Sequence, residues 1–392
     1  MNKNILNTGV QNFILKNLNT DIMSVLLKKP YFELVSNKEL AEQLESRKKS
    51  AKKLNTWFST SNIYYPNKLN IEQTSSEITA RYKSEIVSGK SLVDLTGGFG
   101  VDSYFFSKRI DRVFHCEINK NLSEIASHNF EVLGTDNIET KAESGLEFIR
   151  NSERNFDWIY IDPSRRNDIK QRVFLLSDCQ PDVIENLDLL FSKTEHILIK
   201  TAPLLDISAG INELKHIKEI HIVALNNEVK ELLWVLERGF KGEVTVKTVN
   251  KTRLDDQRFS FGLEQERNCD SSFSLPLSYL YEPNAAILKS GAFKTIGHNY
   301  QLKKLQEHTH LYTSDELIDF PGRRFKIEKA LPYNKKILKR NAIRKANITT
   351  RNFPDSVADI RKKLSIKDGG EHYIFFATNL EKKATVIIGS KV

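Results

Sequence analysis

The chain has 392 residues, with 59 Lys and Arg against 50 Asp and Glu, a formal charge of +9. More than twice the length of a typical ~150-residue domain, it excludes a lone small binding module and predicts two or three domains. Cys116, Cys179 and Cys269 stand far apart in no CxxC pattern, the N-terminus has no secretory apolar core, and no run reaches the ~18–20 apolar residues of a membrane span. These features exclude a disulfide scaffold or zinc ribbon and predict a soluble, cytoplasmic protein.

In chain order, Phe13, Ile14, Leu18, Ile22, Val25 and Leu26 recur near helical spacing and predict a helix over 12–29. Ser36 is placed to cap a second helix over 38–54, and 74–87 reads as a third, so residues 1–88 are expected to form an N-terminal helical region. From residue 91 the runs SLVDL, RVFHCEI, WIYIDP, HILIK and EIHIVAL alternate with helical segments. That alternation predicts an α/β domain with a mainly parallel sheet over 89–270. Following the amphipathic KELLWVLERG, EVTVKTV at 243–249 is expected to supply a last, antiparallel edge strand. Two small α+β units are expected at 271–319 and 320–392, the second closing on HYIFFAT and KATVIIGS with residues 379–383 as their turn.

The charge is unevenly placed. Residues 321–367 hold 15 Lys and Arg against three acids, while the remainder carries 44 against 47. This basic block, with Phe325, Tyr333 and Phe353 interleaved, suits a polyanionic partner through phosphate neutralisation; a solvated charged face is the plainer alternative. Within it Arg323, Arg324, Lys335, Lys336, Lys339, Arg340, Arg344, Lys345 and Arg351 are the candidate phosphate-binding residues.

Three motifs carry chemistry. In VDLTGGFGVD (93–102) a strand runs into Gly97, Gly98 and Gly100, letting backbone pass close to a ligand and offering N–H groups at the start of the next helix. Asp94 makes the pattern D-x-x-x-G-x-G, in place of the G-x-G-x-x-G of a dinucleotide fold, and can meet a cationic ligand where a pyrophosphate would be repelled. Thr96 and Asp102 complete the loop's candidate ligand contacts. Glu117, closing RVFHCE, can accept bonds from two ribose hydroxyls. Glu143 and Ser144 stand where a third strand should end, within reach of an adenine amino group or engaged in an ordinary loop contact. In FDWIYIDPSRRN (156–167) an apolar strand delivers Asp162 and Pro163 to the carboxyl edge of the sheet, with Arg165 and Arg166 as phosphate forks.

Together these segments resemble motif I, the ribose acid and motif IV of class I S-adenosylmethionine-dependent methyltransferases, over about residues 70–250. The resemblance implies a Rossmann-like fold, S-adenosylmethionine as cofactor, and Asp162 and Pro163 as catalytic residues. IEQTSSEITARYK (71–83) is similar to the helix that closes over the methionine end of that cofactor, which places Gln73, Ser75 and Ser76 near it. YLYEPNAAILKSGAF (279–293) resembles a small ferredoxin-like unit, and FPGRRFKI with ANITTRNFPDSVADIRKKLSIKDGG a THUMP-like domain, as in a bacterial methyltransferase group. THUMP domains are associated with structured RNA, so the resemblance implies a tRNA or rRNA substrate. Ser164 replaces the second proline of the DPPR and NPPY turns, and KTAPLLD after the fifth strand lacks the cysteine of 5-methyluridine enzymes. A base nitrogen, methylated without a covalent cysteine intermediate, is therefore the expected acceptor. The alternatives are a non-catalytic RNA-binding protein on a degenerate methyltransferase fold, and transfer to a small molecule or protein. No metal is expected, since His308-x-His310 has no further ligands nearby in sequence.

Overall fold

Capping chemistry sets the N-terminal helices. Ser36 and Glu39 bond reciprocally across the first turn of α3 (Asn37–Lys53), closing a capping box at the predicted start. The computed structural model describes residues 1–165, 175–340 and 343–392. The helix expected over 12–29 is two, α1 (Thr8–Lys16) and α2 (Ile22–Leu26). Asn17 donates to the Phe13 carbonyl at 2.8 Å and Asp21 accepts from the Ser24 amide at 3.0 Å, so these polar side chains satisfy backbone groups at one helix end and the next helix start. Next come α4 (Asn55–Ser59), α5 (Lys68–Gln73) and α6 (Glu77–Ser84).

The chain divides into two units, residues 1–217 with 234–240, and 218–233 with 241–392. In the first, β1 (Gly89–Asp94), α7 (Val101–Phe106), β2 (Ile110–Cys116), α8 (Lys120–Val132), β3 (Ile138–Lys141), α9 (Gly145–Asn151) and β4 (Phe156–Ile161) follow the predicted alternation. A short antiparallel pair, β5 (Ser164–Arg165) and β6 (Cys179–Gln180), precedes α10 (Val183–Phe191), β7 (Thr194–Thr201) and α11 (Ile207–Glu213). The order β7–β4–β1–β2–β3 is parallel throughout. The chain reverses its direction of travel between β1 and β4, the crevice where open α/β sheets bind ligands. The N-terminal helices share a core with this domain: Leu40, Leu44 and Trp57 cluster with Phe99, Val101 and Phe105 of the segment after β1.

The antiparallel strand is not residues 243–249. It is β9 (Glu228–Glu237), which overlaps the amphipathic stretch and follows β8 (Ile217–Leu225) through a two-residue turn. Asn226 and Asn227 take φ of 48° and 66°, the backbone of a tight hairpin that Asn tolerates. The Arg238 amide, just beyond β9, bonds to the Glu195 carbonyl at the start of β7, which fixes the opposed direction. In the second unit β10 (Thr245–Lys251) runs parallel to β8 and antiparallel to β11 (Asp256–Gly262).

After α12 (Leu263–Asn268), the second unit continues through β12 (Tyr279–Pro283), α13 (Ala285–Ser290), α14 (Thr295–Asn299), β13 (Lys303–Lys304) and β14 (Tyr312–Ser314). Then follow β15 (Gly322–Pro332), α15 (Lys335–Arg340), β16 (Lys345–Arg351), α16 (Val357–Leu364), β17 (Lys367–Thr378) and β18 (Ala384–Lys391). Pairing of β12 with β15 joins the segments 271–319 and 320–392 into one seven-stranded sheet, β13–β14–β12–β15–β18–β17–β16. Among the described residues no helix is long and apolar enough to cross a membrane.

Candidate active site

The site is built on the carboxyl ends of β1, β2, β4 and β7. Asp94 ends β1 and is 1 % exposed. It accepts from Ser103 Oγ at 2.7 Å and from the Thr96 amide at 3.1 Å. The Gly97 amide donates to the Cys116 carbonyl, the Gly100 amide to the Gly97 carbonyl, and the Gly98 amide to Glu117 Oε2 at 2.9 Å. These loop amides are thus bonded within the protein rather than held out to a ligand. Gly98 has φ of 55° and its α-carbon faces open space, while Gly100, at φ of 86°, lies against Phe130. Glu117 also accepts from the Asn119 amide at 2.7 Å, so each carboxylate oxygen holds one backbone bond and keeps a second lone pair.

Behind the loop lies a buried polar cluster. Asp102 on α7 accepts from Ser75 and from the Tyr160 hydroxyl, each at 2.8 Å, and pairs with Lys83 of α6 at 3.2 Å. Lys83 is fully buried. Burial alone would raise the Asp102 carboxyl, but Lys83, Lys200 and the bonds from Ser75 and Tyr160 hold it below its ordinary value. Asp94 behaves oppositely: burial pushes it up to about 7 against the Ser103 bond, with Asp102 and Asp162 adding to the rise. Beneath Gly97, the fully buried His115 packs edge-on to Phe130, and burial drives it down to about 4.

Asp162, just past β4, is anchored by its amide to Thr96 Oγ1 at 2.7 Å, and its Oδ2 is bonded by Lys200 from the end of β7. Pro163 is buried behind it. The structure therefore gathers Asp94, Thr96, Gly97, Gly98, Gly100, Asp102, Glu117 and Asp162 around one edge. Ser144 stands just before α9 without a side-chain capping bond, the helix's first residue, Gly145, packs on Leu95 of the loop, and Glu143 precedes Ser144. Gln73 is exposed at the end of α5 and Ser76 caps α6, its hydroxyl accepting from the Thr79 amide. It is Ser75 that reaches the loop, through Asp102.

Sequence reasoning missed Lys83, Lys200, Tyr160 and Ile118. Lys200 closes an apolar run, a position where an unmatched charge is costly, and that was its available signal. Ile118 is 74 % exposed beside Glu117, an apolar surface next to that carboxylate. Cys116 and Cys179 are fully buried, and burial pushes the Cys116 thiol far up, which suits neither to nucleophilic attack.

The arrangement fits a cationic nucleoside ligand. Asp102 and Asp162 each carry a lysine, whereas no basic side chain among the described residues bonds to Asp94. Burial raises its value, and no bonded cation opposes the rise. Among the described residues no group of three His, Cys, Asp or Glu gathers as for a metal.

The basic candidates divide. Arg323 and Arg351 both clamp Glu282, which is buried on β12, and Arg324 pairs with Asp319 at 3.1 Å. These three are engaged by carboxylates of the protein itself. Lys335, Lys336, Arg344 and Lys345 are exposed. Arg166 lies outside the described residues, as do the side chains of Arg165, Lys339 and Arg340.

Comparison with known proteins adds the following. A family model described as a ferredoxin-like domain matches residues 279–321, and one described as THUMP domain-like matches 322–391. The crystal structure of a candidate methyltransferase from Porphyromonas gingivalis W83 aligns with TM-score 0.90 at 31 % identity, covering 100 % of this chain and 98 % of that one. An rRNA methylase from Streptococcus thermophilus aligns at 14 % identity and TM-score 0.31 over 42 % of this chain and 98 % of its own. M. capricolum TrmK in complex with S-adenosyl-homocysteine aligns at 18 % identity and TM-score 0.33 over 42 % of this chain and 70 % of its own. No curated protein matches the sequence significantly.

Proposed function

The chain belongs to the class I methyltransferases that carry a C-terminal THUMP-like domain, and from that premise we propose that it transfers a methyl group from S-adenosylmethionine to a base nitrogen of tRNA or rRNA. The observation that carries the reading is the meeting of Asp94, the glycine loop, Glu117 and Asp162 at the carboxyl ends of adjacent parallel strands. Bound there, the cofactor supplies a sulfonium whose methyl group is already electrophilic.

What remains for the protein is alignment and proton removal. Glu117 would hold the ribose hydroxyls through its remaining lone pairs, with Ile118 against the adenine face. The Gly98 α-carbon would line the cofactor's path, and Asp94 would offset its positive charge. Asp162 would accept a hydrogen bond from the acceptor nitrogen and orient its lone pair toward the methyl carbon. The exposed Lys335, Lys336, Arg344 and Lys345, on a domain matched to a THUMP-like family, favour an RNA acceptor over a small molecule.

The test is methyl transfer from labelled S-adenosylmethionine to RNA from a strain lacking the gene, with nucleoside mass spectrometry of that strain against its parent. One methylated nucleoside absent in the deletion and restored by the protein is the expected result. No transfer to such RNA, with RNA binding retained, would overturn it in favour of a binding protein on a methyltransferase scaffold.

A further inference from the structure

Resting on the reading just given, we infer that Lys200 is a positioning residue for the methyl-acceptor site, holding the Asp162 carboxylate so that one oxygen alone faces the acceptor. β7 is a core strand in which Ile197, Leu198 and Ile199 are fully buried. A lysine as its next residue brings a charge to the rim of an apolar core, a cost that only a matched partner offsets. The partner is Asp162, whose Oδ2 takes the Lys200 ammonium. The backbone of Asp162 is fixed independently by its amide bond to Thr96 Oγ1, which ties it to the glycine loop. Oδ1 has no hydrogen-bond partner among the described residues, and the side chain is 33 % exposed. Lys200 also acts electrostatically on Asp102, so one ammonium couples the acceptor carboxylate to the network behind the loop.

The consequence is a carboxylate with one occupied and one open oxygen. The acceptor N–H donates to Oδ1; the nitrogen lone pair forms the N–C bond as the C–S bond breaks, and its electron pair returns to sulfur, leaving a neutral thioether. The nitrogen's proton passes to Asp162 and then to water. Lys200 keeps its protons throughout and touches neither substrate nor cofactor. Without it Asp162 is free to rotate about its side-chain bonds, and misplacement of about 1 Å at a reacting group costs on the order of 100-fold in rate.

The experiment compares the wild type with Lys200→Met and Lys200→Arg. Calorimetry reads S-adenosylmethionine binding, thermal unfolding reads folding, and methyl transfer to RNA from the deletion strain gives kcat and KM. In Lys200→Met the cofactor Kd should stay within about threefold of wild type and the RNA KM within a few-fold, while kcat falls about 100-fold. Lys200→Arg, which keeps the charge and donors, should recover at least about tenfold of that loss. Wild-type kcat in Lys200→Met would overturn the proposal. So would failure of arginine to restore kcat while both variants unfold at equally lowered temperature, the mark of a purely structural lysine. If the wild type itself transfers no methyl group, the functional reading has failed and this role falls with it.

Discussion

The glycine loop separates cost to folding from cost to binding, and two single-methyl variants should reveal it. At Gly98 the φ of 55° lies in the left-handed basin, and an added Cβ finds nothing nearer than the Thr96 carbonyl oxygen at 3.9 Å. Gly98→Ala then costs only the left-handed backbone penalty, about 1–2 kcal/mol. At Gly100 φ is 86° and an added Cβ would stand 2.4 Å from Phe130 Cζ. Phe130 is buried against His115 and has little room to retreat. Overpacking of about 1–3 kcal/mol adds to the backbone penalty and brings Gly100→Ala to about 2–5 kcal/mol. For a unit of this size each kcal/mol lowers the melting midpoint by about 2–4 °C. Gly98→Ala should thus melt a few degrees below wild type and Gly100→Ala about 10 °C below.

Binding should sort the other way. The methyl of Gly98→Ala points into the open side of the loop, and calorimetry should find S-adenosylmethionine bound at least about tenfold more weakly although the protein remains folded. Gly98→Arg should abolish binding. Unchanged affinity in Gly98→Ala would remove the loop from the cofactor site. A loss of stability equal to that of Gly100→Ala would refute the open face.

Three further outcomes follow from the placement of charge. Asp94 at about 7 sits above the unfolded value of about 3.9, so the folded state holds a proton that the unfolded chain loses and Asp94's contribution falls as pH rises from 4 to 7. His115 at about 4 sits below its unfolded value of about 6.5 and contributes the opposite slope between pH 4 and 6.5. Urea unfolding of Asp94→Asn against wild type should therefore show the variant gaining about 4 kcal/mol relative to wild type between pH 4 and 7, whereas parallel curves would contradict the assignment. Lys83→Met leaves Asp102 buried without its bonded lysine and should cost about 3–5 kcal/mol in the same assay, with part recovered in Lys83→Met/Asp102→Asn. For RNA, replacing Lys335, Lys336, Arg344 and Lys345 by Gln should flatten the slope of log affinity against log salt by about 3, while Arg351→Met lowers the melting temperature and leaves the slope alone.

Local chemistry made much of this readable. Ser36 as a cap announced α3, and short apolar runs announced β1, β2, β4, β7 and β8. The antiparallel strand was placed one segment too late because Leu232, Leu233, Val235 and Leu236 of β9 satisfy helical spacing as well as burial on a strand. The deciding signal was Asn226-Asn227, a hairpin turn between two apolar runs. Asp94, Glu117 and Asp162 were legible because each ends or follows a strand, and parallel strands bring such residues to a common edge. Lys83 and Lys200 were not, since each pairs with a carboxylate distant in sequence, and the apolar run that Lys200 closes signals a needed partner without naming it.

The basic block illustrates the same limit from the other side. Fifteen cations against three acids over 321–367 describe a window of sequence, and charge neutralisation occurs in space. Glu282 and Asp319 precede that window and Asp368 follows it, yet they engage Arg323, Arg351, Arg324 and Arg361. Lys363 pairs with Asp355 inside it. Glu282 differs from the surface acids in being buried, so its two arginines compensate a charge that would otherwise be stranded in the sheet. The cations available to phosphate are accordingly fewer than the excess implies, and the four exposed around α15 and the start of β16 form the strongest local set. An RNA-binding reading built on net charge would predict too steep a salt dependence. One built on which cations lack an internal carboxylate predicts a moderate slope and names the residues that set it.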